Sequence, residues 1–299
     1  MQPFPPPYAV DVALSRRSHE RIGGRRTDET WLAEKWADPA TRVLVLAGGR
    51  FPLTEQRDAV AWVAPEQSPP GERLLLGERD TVVHFVVLPS AFRAPEDWGM
   101  LRTVGPDLDE VDRGFVVQAQ AMSEWHRAHR FCPRCGGGLG VSGGGYVLTC
   151  ESCERHHFPR TDPAVIMLVS DGDRALLGRQ PVWPAGRYST LAGFVDPGES
   201  LEEAVIREVM EEAGVEVTDV TYFGNQPWPF PSSLMVGFFA RAVTTEVHVD
   251  DDELEAARWF SRDQMREEAE AGTLLLPGGI SISRSLIEAW YGGRLPGQW

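Results

Sequence analysis

Gly193-Phe-Val-Asp-Pro-Gly-Glu199, followed by Arg207-Glu208-Val-Met-Glu211-Glu212-Ala-Gly214-Val215, is the stretch on which the reading of this chain turns. Ser200 is a good N-cap and Gly214 a good stop, so a helix is predicted over residues 201–213. On that helix Glu208, Glu211 and Glu212 fall at i, i+3 and i+4 and are predicted to share one face. Three carboxylates so close repel one another unless positive charge lies among them. Hard oxygen donors in such a cluster suit a divalent cation, Mg²⁺ or Mn²⁺. Arg207 stands four residues before Glu211 and four after Glu203, placed to orient carboxylates through bidentate contacts. Ala204, Val205 and Val209 give the helix an apolar side for packing. Gly193 and Gly198 let the preceding loop turn sharply toward the helix start.

Upstream, Cys132-Pro-Arg-Cys135 and Cys150-Glu-Ser-Cys153 form two CxxC pairs with fourteen residues between them. Each pair can direct two thiolates at one ion, and four thiolates in tetrahedral geometry suit Zn²⁺. A redox motif of the thioredoxin kind needs one pair beside a βαβ unit, whereas this chain carries two. Four sulfurs fill the coordination shell, so the expected zinc is structural. His156 and His157 follow closely and offer an alternative ligand to Cys153, but are read as solvated or packed; His126 and His129 are read as a helix face and not a second site.

The chain has 299 residues, 44 acidic against 29 basic, for a net charge of −15. That balance repels a phosphate backbone and argues against a generic nucleic-acid coat or a basic membrane-surface protein. It leaves room for a small anionic substrate held through a metal. The richest apolar runs, near Thr81–Pro89 and Ala164–Ser170, are strand-sized, so no membrane partner is expected. Met1 to Val10 is proline-rich without a hydrophobic signal core, which predicts a cytoplasmic protein. Short Val/Leu-rich runs at Thr41–Ala47, Asp58–Ala64, Glu72–Leu76 and Thr81–Leu88 predict a small sheet domain. Ala91–Glu110 reads as a polar connection and Phe115–His129 as a helix with Phe115, Ala119 and Met122 on one side. A strand at Ala164–Ser170 and a helix at Ser283–Tyr291 belong to the last segment. Strands followed by separate helices predict an α+β fold. Its parts are an N-terminal sheet domain over residues 1–125, a four-cysteine zinc ribbon over 126–160 and a domain holding the carboxylate helix over 161–299.

The helix stretch meets the pattern GX5EX7REUXEEXGU, with U apolar, at Gly193, Glu199, Arg207, Glu208, Val209, Glu211, Glu212, Gly214 and Val215. That pattern is the Nudix box. Asn225-Gln-Pro-Trp-Pro-Phe-Pro-Ser-Ser233 resembles the SQPWPFPxS signature of the NADH pyrophosphatase family, with Asn225 in place of the first serine. His157-Phe-Pro-Arg160 resembles that family's His-Tyr-Pro-Arg motif, with Phe for Tyr. The resemblance covers most of the chain and implies a C-terminal Nudix α/β/α sandwich.

Position by position, the resemblance implies Glu208, Glu211 and Glu212 as ligands of a catalytic Mg²⁺ or Mn²⁺. The carbonyl of Ala192 and the distal carboxylate Glu253 join them. Glu255 is the rival of Glu253, and Asp250–Asp252 has an alternative reading as an acidic loop. Glu212, Glu211 and Arg207 are the implied catalytic set. Gln226, Pro227, Trp228, Pro229, Phe230, Pro231, Ser232 and Ser233 form the implied substrate-binding stretch. Phe194 and Phe158 are the rings expected to sandwich a nicotinamide, Phe158 coming from the other subunit of a homodimer. Phe158 keeps a stacking face and lacks the hydroxyl of a tyrosine. Leu275 corresponds to a backbone substrate contact. The implied reaction is hydrolysis of the pyrophosphate of NADH or NAD⁺ to nicotinamide mononucleotide and AMP. NAD-capped RNA presents the same dinucleotide end and is the second implied substrate. Two rivals are a Nudix hydrolase of another nucleoside diphosphate, such as ADP-ribose, and a zinc-ribbon regulator that senses a nucleotide.

Overall fold

The chain is described from a computed structural model that covers residues 12–15, 18–249 and 253–297. The proline-rich residues 1–10 and the acidic residues 250–252 lie outside the described residues. Internal contacts divide the chain into two compact units. One holds the described part of 16–161 together with Trp228–Ser232. The other holds residues 12–15, Asp162–Pro227 and the described residues from Ser233 onward.

The first unit begins with α1 (Glu29–Ala37), capped by the Asp28 carboxylate, which accepts from the Trp31 N–H at 3.0 Å. It continues with β1 (Arg42–Val45), β2 (Arg50–Phe51), β3 (Gly71–Arg79) and β4 (Val82–Pro89). Strand β4 is central, parallel to β1 and antiparallel to β3. The predicted strand at Asp58–Ala64 does not form. Val60 and Val63 make only isolated bridges, and the Asp112 carboxylate takes the Val60 N–H at 2.6 Å and the Trp62 indole N–H at 2.8 Å. The connection at 91–110 is more structured than expected, holding β5 (Gly99–Met100), which pairs with β2, and the short helix α2 (Leu101–Val104). Helix α3 (Glu110–Ala128) starts where Asp109 accepts from the Val111 and Asp112 N–H groups. Its apolar stripe, including Phe115, Ala119 and Met122, is buried. Then follows an antiparallel sheet of β6 (Leu139–Ser142), β7 (Val147–Cys150) and β8 (His156–His157), which carries the cysteines.

The second unit is built on β9 (Asp162–Ser170), whose seven residues from Ala164 to Ser170 are all buried. A strand that is apolar on both sides must be covered on both faces. Strands β10 (Arg174–Arg179) and β11 (Leu191–Phe194) pair with it, and α4 (Leu201–Ala213) covers one face. Val165, Met167 and Val169 pack with Ala204, Val205 and Val209 of that helix. After β12 (Val217–Trp228), β13 (Ser233–Ala242), β14 (Ala256–Ser261) and α5 (Arg262–Glu270), helix α6 (Ile282–Tyr291) covers the opposite face. There Ile166 and Leu168 meet Ile282, Leu286, Ile287 and Trp290. Sheet order is β12-β13-β9-β10-β14, with β13 parallel to β9. The result is the expected α/β/α sandwich within a mixed α+β chain. No helix among the described residues is long and apolar enough to cross a membrane.

Candidate metal and catalytic site

The box helix α4 is fixed at both ends by local chemistry. Ser200 accepts from the Glu203 N–H at 3.2 Å, and the Glu203 carboxylate accepts from the Ser200 N–H at 3.0 Å, a closed capping box. Gly214 takes the left-handed conformation (φ +65°) and returns its N–H to Met210 at 2.9 Å. Glu203 is therefore occupied by the cap and does not reach Arg207, contrary to the spacing argument. Arg207 grips Glu199 bidentately, both contacts 2.8 Å, and reaches Glu208 at 2.8 Å and Glu211 at 2.9 Å. It also donates to the Phe194 carbonyl at 2.9 Å. These contacts, Glu199 first among them, raise its pKa and keep it charged. They tie the loop 194–199 to the helix, which makes Arg207 a positioning residue in this geometry.

The three helix carboxylates differ in surroundings. Glu208 and Glu212 are buried, whereas Glu211 is exposed and held by Arg207. Burial raises the pKa of Glu208 despite Arg207. Burial first, then the charges of Glu208 and Glu253, push Glu212 up to about 8, against a backbone hydrogen bond from Ala192. The Oε2 atom of Glu212 is buried and has no hydrogen-bond partner. Two buried carboxylates faced by a third thus hold more negative charge than Arg207 neutralises. Hard oxygens in that state fit a divalent cation. Glu253 bears on this cluster, while its rival Glu255 is paired with Arg179 at 2.6 Å.

The cysteine site is closed. All four Sγ atoms lie within 4.8 Å of one another, the one cluster of His, Cys, Asp and Glu that does so among the described residues. Cys132 and Cys153 are 3.8 Å apart and Cys135 and Cys150 3.5 Å. A tetrahedral zinc with sulfurs at about 2.3 Å separates them by about 3.8 Å, so the donor set fits. Cys132 accepts the Gly136 N–H and gives its own N–H to Gly137, both at 2.8 Å. Cys150 repeats this with Glu154 and Arg155, both at 2.9 Å. The Cys153 N–H on the Cys150 sulfur contributes most to lowering that thiol to about 7. Against burial, hydrogen bonds with the Arg134 and Cys135 N–H groups and then with His157, read in sequence as solvated or packed, lower the Cys132 thiol. A histidine four residues after the last cysteine was the available signal for this contact.

Models of two known families match the sequence: the NUDIX domain over residues 160–275 and the NADH pyrophosphatase zinc ribbon domain over residues 127–158. Over 300 residues the chain is 39% identical to the NAD-capped RNA hydrolase NudC of Mycobacterium tuberculosis (strain ATCC 25618 / H37Rv), covering 93% of this chain and 94% of that protein. The chain belongs to the NADH pyrophosphatase family of Nudix hydrolases. It is also 45% identical over 196 residues to the NAD-capped RNA hydrolase NUDT12 of Macaca fascicularis, covering 61% of this chain and 42% of that protein. This chain therefore matches less than half the length of that relative. A solved NUDIX hydrolase from Nitrosomonas europaea aligns with 56% of this chain and 96% of its own, at 21% identity and a TM-score of 0.45.

The residues expected from the family fall into distinct settings. Phe194, in the unit that carries the box, is 60% exposed, and Phe158, in the other unit, is 63% exposed. Rings that size left open to solvent have faces free for stacking. Gln226 is a different case. It is fully buried, donates to the Ala13 carbonyl at 2.6 Å and the Ile280 carbonyl at 2.7 Å, and accepts from the Ile282 N–H at 2.9 Å. Its amide braces two backbone segments, at Ala13 and at 280–282, and both amide hydrogens are used in doing so. Pro227 ends the part of the signature assigned to the box unit, and Trp228 to Ser232 cluster with the first unit. Within that unit Trp228 and Phe230 meet edge to face at 5.1 Å, and the Arg102 guanidinium lies 4.3 Å from the Phe230 ring and 5.6 Å from that of Trp228. Pro229 and Ser233 are buried, Ser232 is partly so, and the peptide between Phe230 and Pro231 is cis. Arg102, 126 positions away from Trp228 in sequence, carried no local signal. Leu275 gives its N–H to the Gly186 carbonyl at 2.7 Å and its carbonyl to the Tyr188 N–H at 3.1 Å. Only the second lone pair of that carbonyl remains for a substrate.

Proposed function

We propose that this protein is a hydrolase requiring Mg²⁺ or Mn²⁺ that cleaves the pyrophosphate of NADH or NAD⁺ and removes NAD caps from RNA. The observation that carries the reading is the pair of buried carboxylates, Glu208 and Glu212, faced by Glu253 and left with an unpartnered buried oxygen. Glu208, Glu212, Glu253 and the Ala192 carbonyl would hold the metal, with Glu211 beside them. When bound, the cation neutralises pyrophosphate charge and lowers the pKa of an attacking water. Arg207 fixes the loop and carboxylates so that little reorganisation remains at the reacting centre. A carboxylate of the set, Glu212 or Glu211, takes the proton of the water. A P–O bond forms to that water, the bridging P–O bond breaks, and nicotinamide mononucleotide and AMP leave. Phe194 and, in a homodimer, Phe158 supply the stacking faces for the nicotinamide, and the stretch Trp228 to Ser233 is taken as substrate-binding from the family resemblance. Four zinc-bound thiolates suit the reducing cytoplasm, where we place the protein.

The test is purified protein with Mg²⁺ or Mn²⁺, offered NADH, NAD⁺, ADP-ribose and NAD-capped RNA, with products separated by chromatography. Release of AMP and the nicotinamide mononucleotide from the dinucleotides, and of a 5′-monophosphate RNA from the capped strand, is expected. Hydrolysis of ADP-ribose with the other three left intact would overturn the assignment.

A further inference from the structure

A cleft of about 620 Å³ lies wholly within the unit that does not carry the box helix. Its walls are the end of the N-terminal sheet, the last turns of α3 and the β6–β7 hairpin of the zinc ribbon. One side is apolar: Leu46 and Leu88 from the sheet, and Leu139, Val141 and Leu148 from the ribbon. Val141 is 39% exposed, so this side is open rather than closed core. The volume is that of a site for a small molecule of nucleotide size.

The remaining lining is polar and charged. Glu124 is paired with Arg127, by contacts of 2.5 and 3.1 Å. Glu72 is paired with the buried His126 at 3.2 Å, and the imidazole holds that carboxyl below its usual range. His129 has its Nδ1 on the Trp125 carbonyl at 2.9 Å. Arg130 also lines the cleft, is exposed, and has no carboxylate partner among the described residues. Of the two guanidiniums in the lining, Arg127 is held by Glu124 and Arg130 is the one without a carboxylate, in a cleft that also presents apolar side chains. A guanidinium fork suits a carboxylate or phosphate, and the apolar side suits a ring or short chain.

We propose that this cleft is a second binding site, for a small organic anion with an apolar body and one phosphate or carboxylate head. The head lies on Arg130 and the body against Leu139, Val141 and Leu148. Nothing in the proposal depends on the reaction assigned to the carboxylate helix.

The experiment titrates the full-length, zinc-loaded protein with 1-anilinonaphthalene-8-sulfonate, an aromatic body with one anionic head, and follows its fluorescence. Saturation at one equivalent per chain is expected. Arg130→Glu, a change at an exposed position, weakens binding tenfold or more, and Val141→Arg abolishes it by filling the apolar side. Both variants keep the melting temperature and the rate of NADH hydrolysis. Should Val141→Arg unfold, Arg130→Glu decides alone. Displacement by AMP identifies an organic phosphate as the natural class, and displacement by hexanoate a carboxylate. The proposal is overturned by the lack of saturable binding, by binding that Arg130→Glu leaves unchanged, or by failure of both competitors.

Discussion

The cysteine cluster and the carboxylate cluster hold their donors by different means. Around the sulfurs the backbone does the holding. Cys132 and Cys150 each accept an N–H from four residues on and donate to a carbonyl five residues on, so the two turns repeat one design. Around the carboxylates a single side chain does it, Arg207, through Glu199, Glu208, Glu211 and the Phe194 carbonyl. The sulfurs close a four-fold shell, whereas Glu212 keeps an unpartnered buried oxygen. The difference teaches which site belongs to the fold and which works against it. A closed shell converts metal affinity into folding free energy. An open carboxylate set retains repulsion until a cation and a substrate share it, a cost to stability often seen where function is located.

The largest effect that separates the two is expected from Glu212→Gln. It removes charge at the metal and acid–base help, which alone is worth about 10²–10⁴ in rate. In metal-free protein at pH 9 the melting temperature should rise, because a buried, repelled carboxylate is gone. Steady-state kinetics and a thermal scan check both, and a wild-type rate at saturating metal would end the comparison. Cys132→Ser should act in the opposite sense. Zinc content falls with the melting temperature, by ~6–20 °C if about 3–5 kcal/mol is lost, and activity falls through misplacement of residues 154–160. Retained stability after zinc loss would show that the shell is no part of the fold.

The pH response sharpens the contrast. Glu212 is pushed up to about 8, above its unfolded value, so its contribution is complete below about 4.5 and is lost as pH rises toward 8. His84, buried and stacked on Phe115 at 4.3 Å, is pushed down to about 4 chiefly by burial. Its contribution is complete above about 6.5 and is lost as pH falls toward 4. Melting curves of metal-free protein from pH 4 to 9 should show both limbs. Mg²⁺ should flatten the alkaline one alone. The smallest expected effect tests the repeated turn. Gly136 at φ +74° and Glu154 at φ +57° occupy equivalent places, and only one is glycine. Glu154→Gly should stabilise by ~0.5–1 kcal/mol, read as a small rise in melting temperature with zinc content unchanged.

Local chemistry made the box helix legible. Ser200, Glu203 and Gly214 define its ends within the helix and its flanks, and the structure has those bounds. The cysteine spacing was equally local. What escaped depends on partners far away in sequence. Asp58–Ala64 has a strand's composition, but Asp112 claims its donors from 50 and 52 residues away. Arg207 had two acidic neighbours at helical spacing, and the cap took one of them. Glu199, eight residues back across the loop, became its bidentate partner instead. Gln226 lies in a recognisable signature, yet Ala13, Ile280 and Ile282 fix its orientation, and none of them is nearby in sequence.

Gly193 pairs with Val165 at the edge of the box, and a Cβ there would lie 1.9 Å from the Glu208 carboxyl carbon. The volume that a side chain of its own would need already belongs to another residue's charge. Ordinary positions drift through a graded series of neighbours, from alanine to serine to valine. At 193 that series has no first step, since the smallest addition displaces the same carboxylate as the largest.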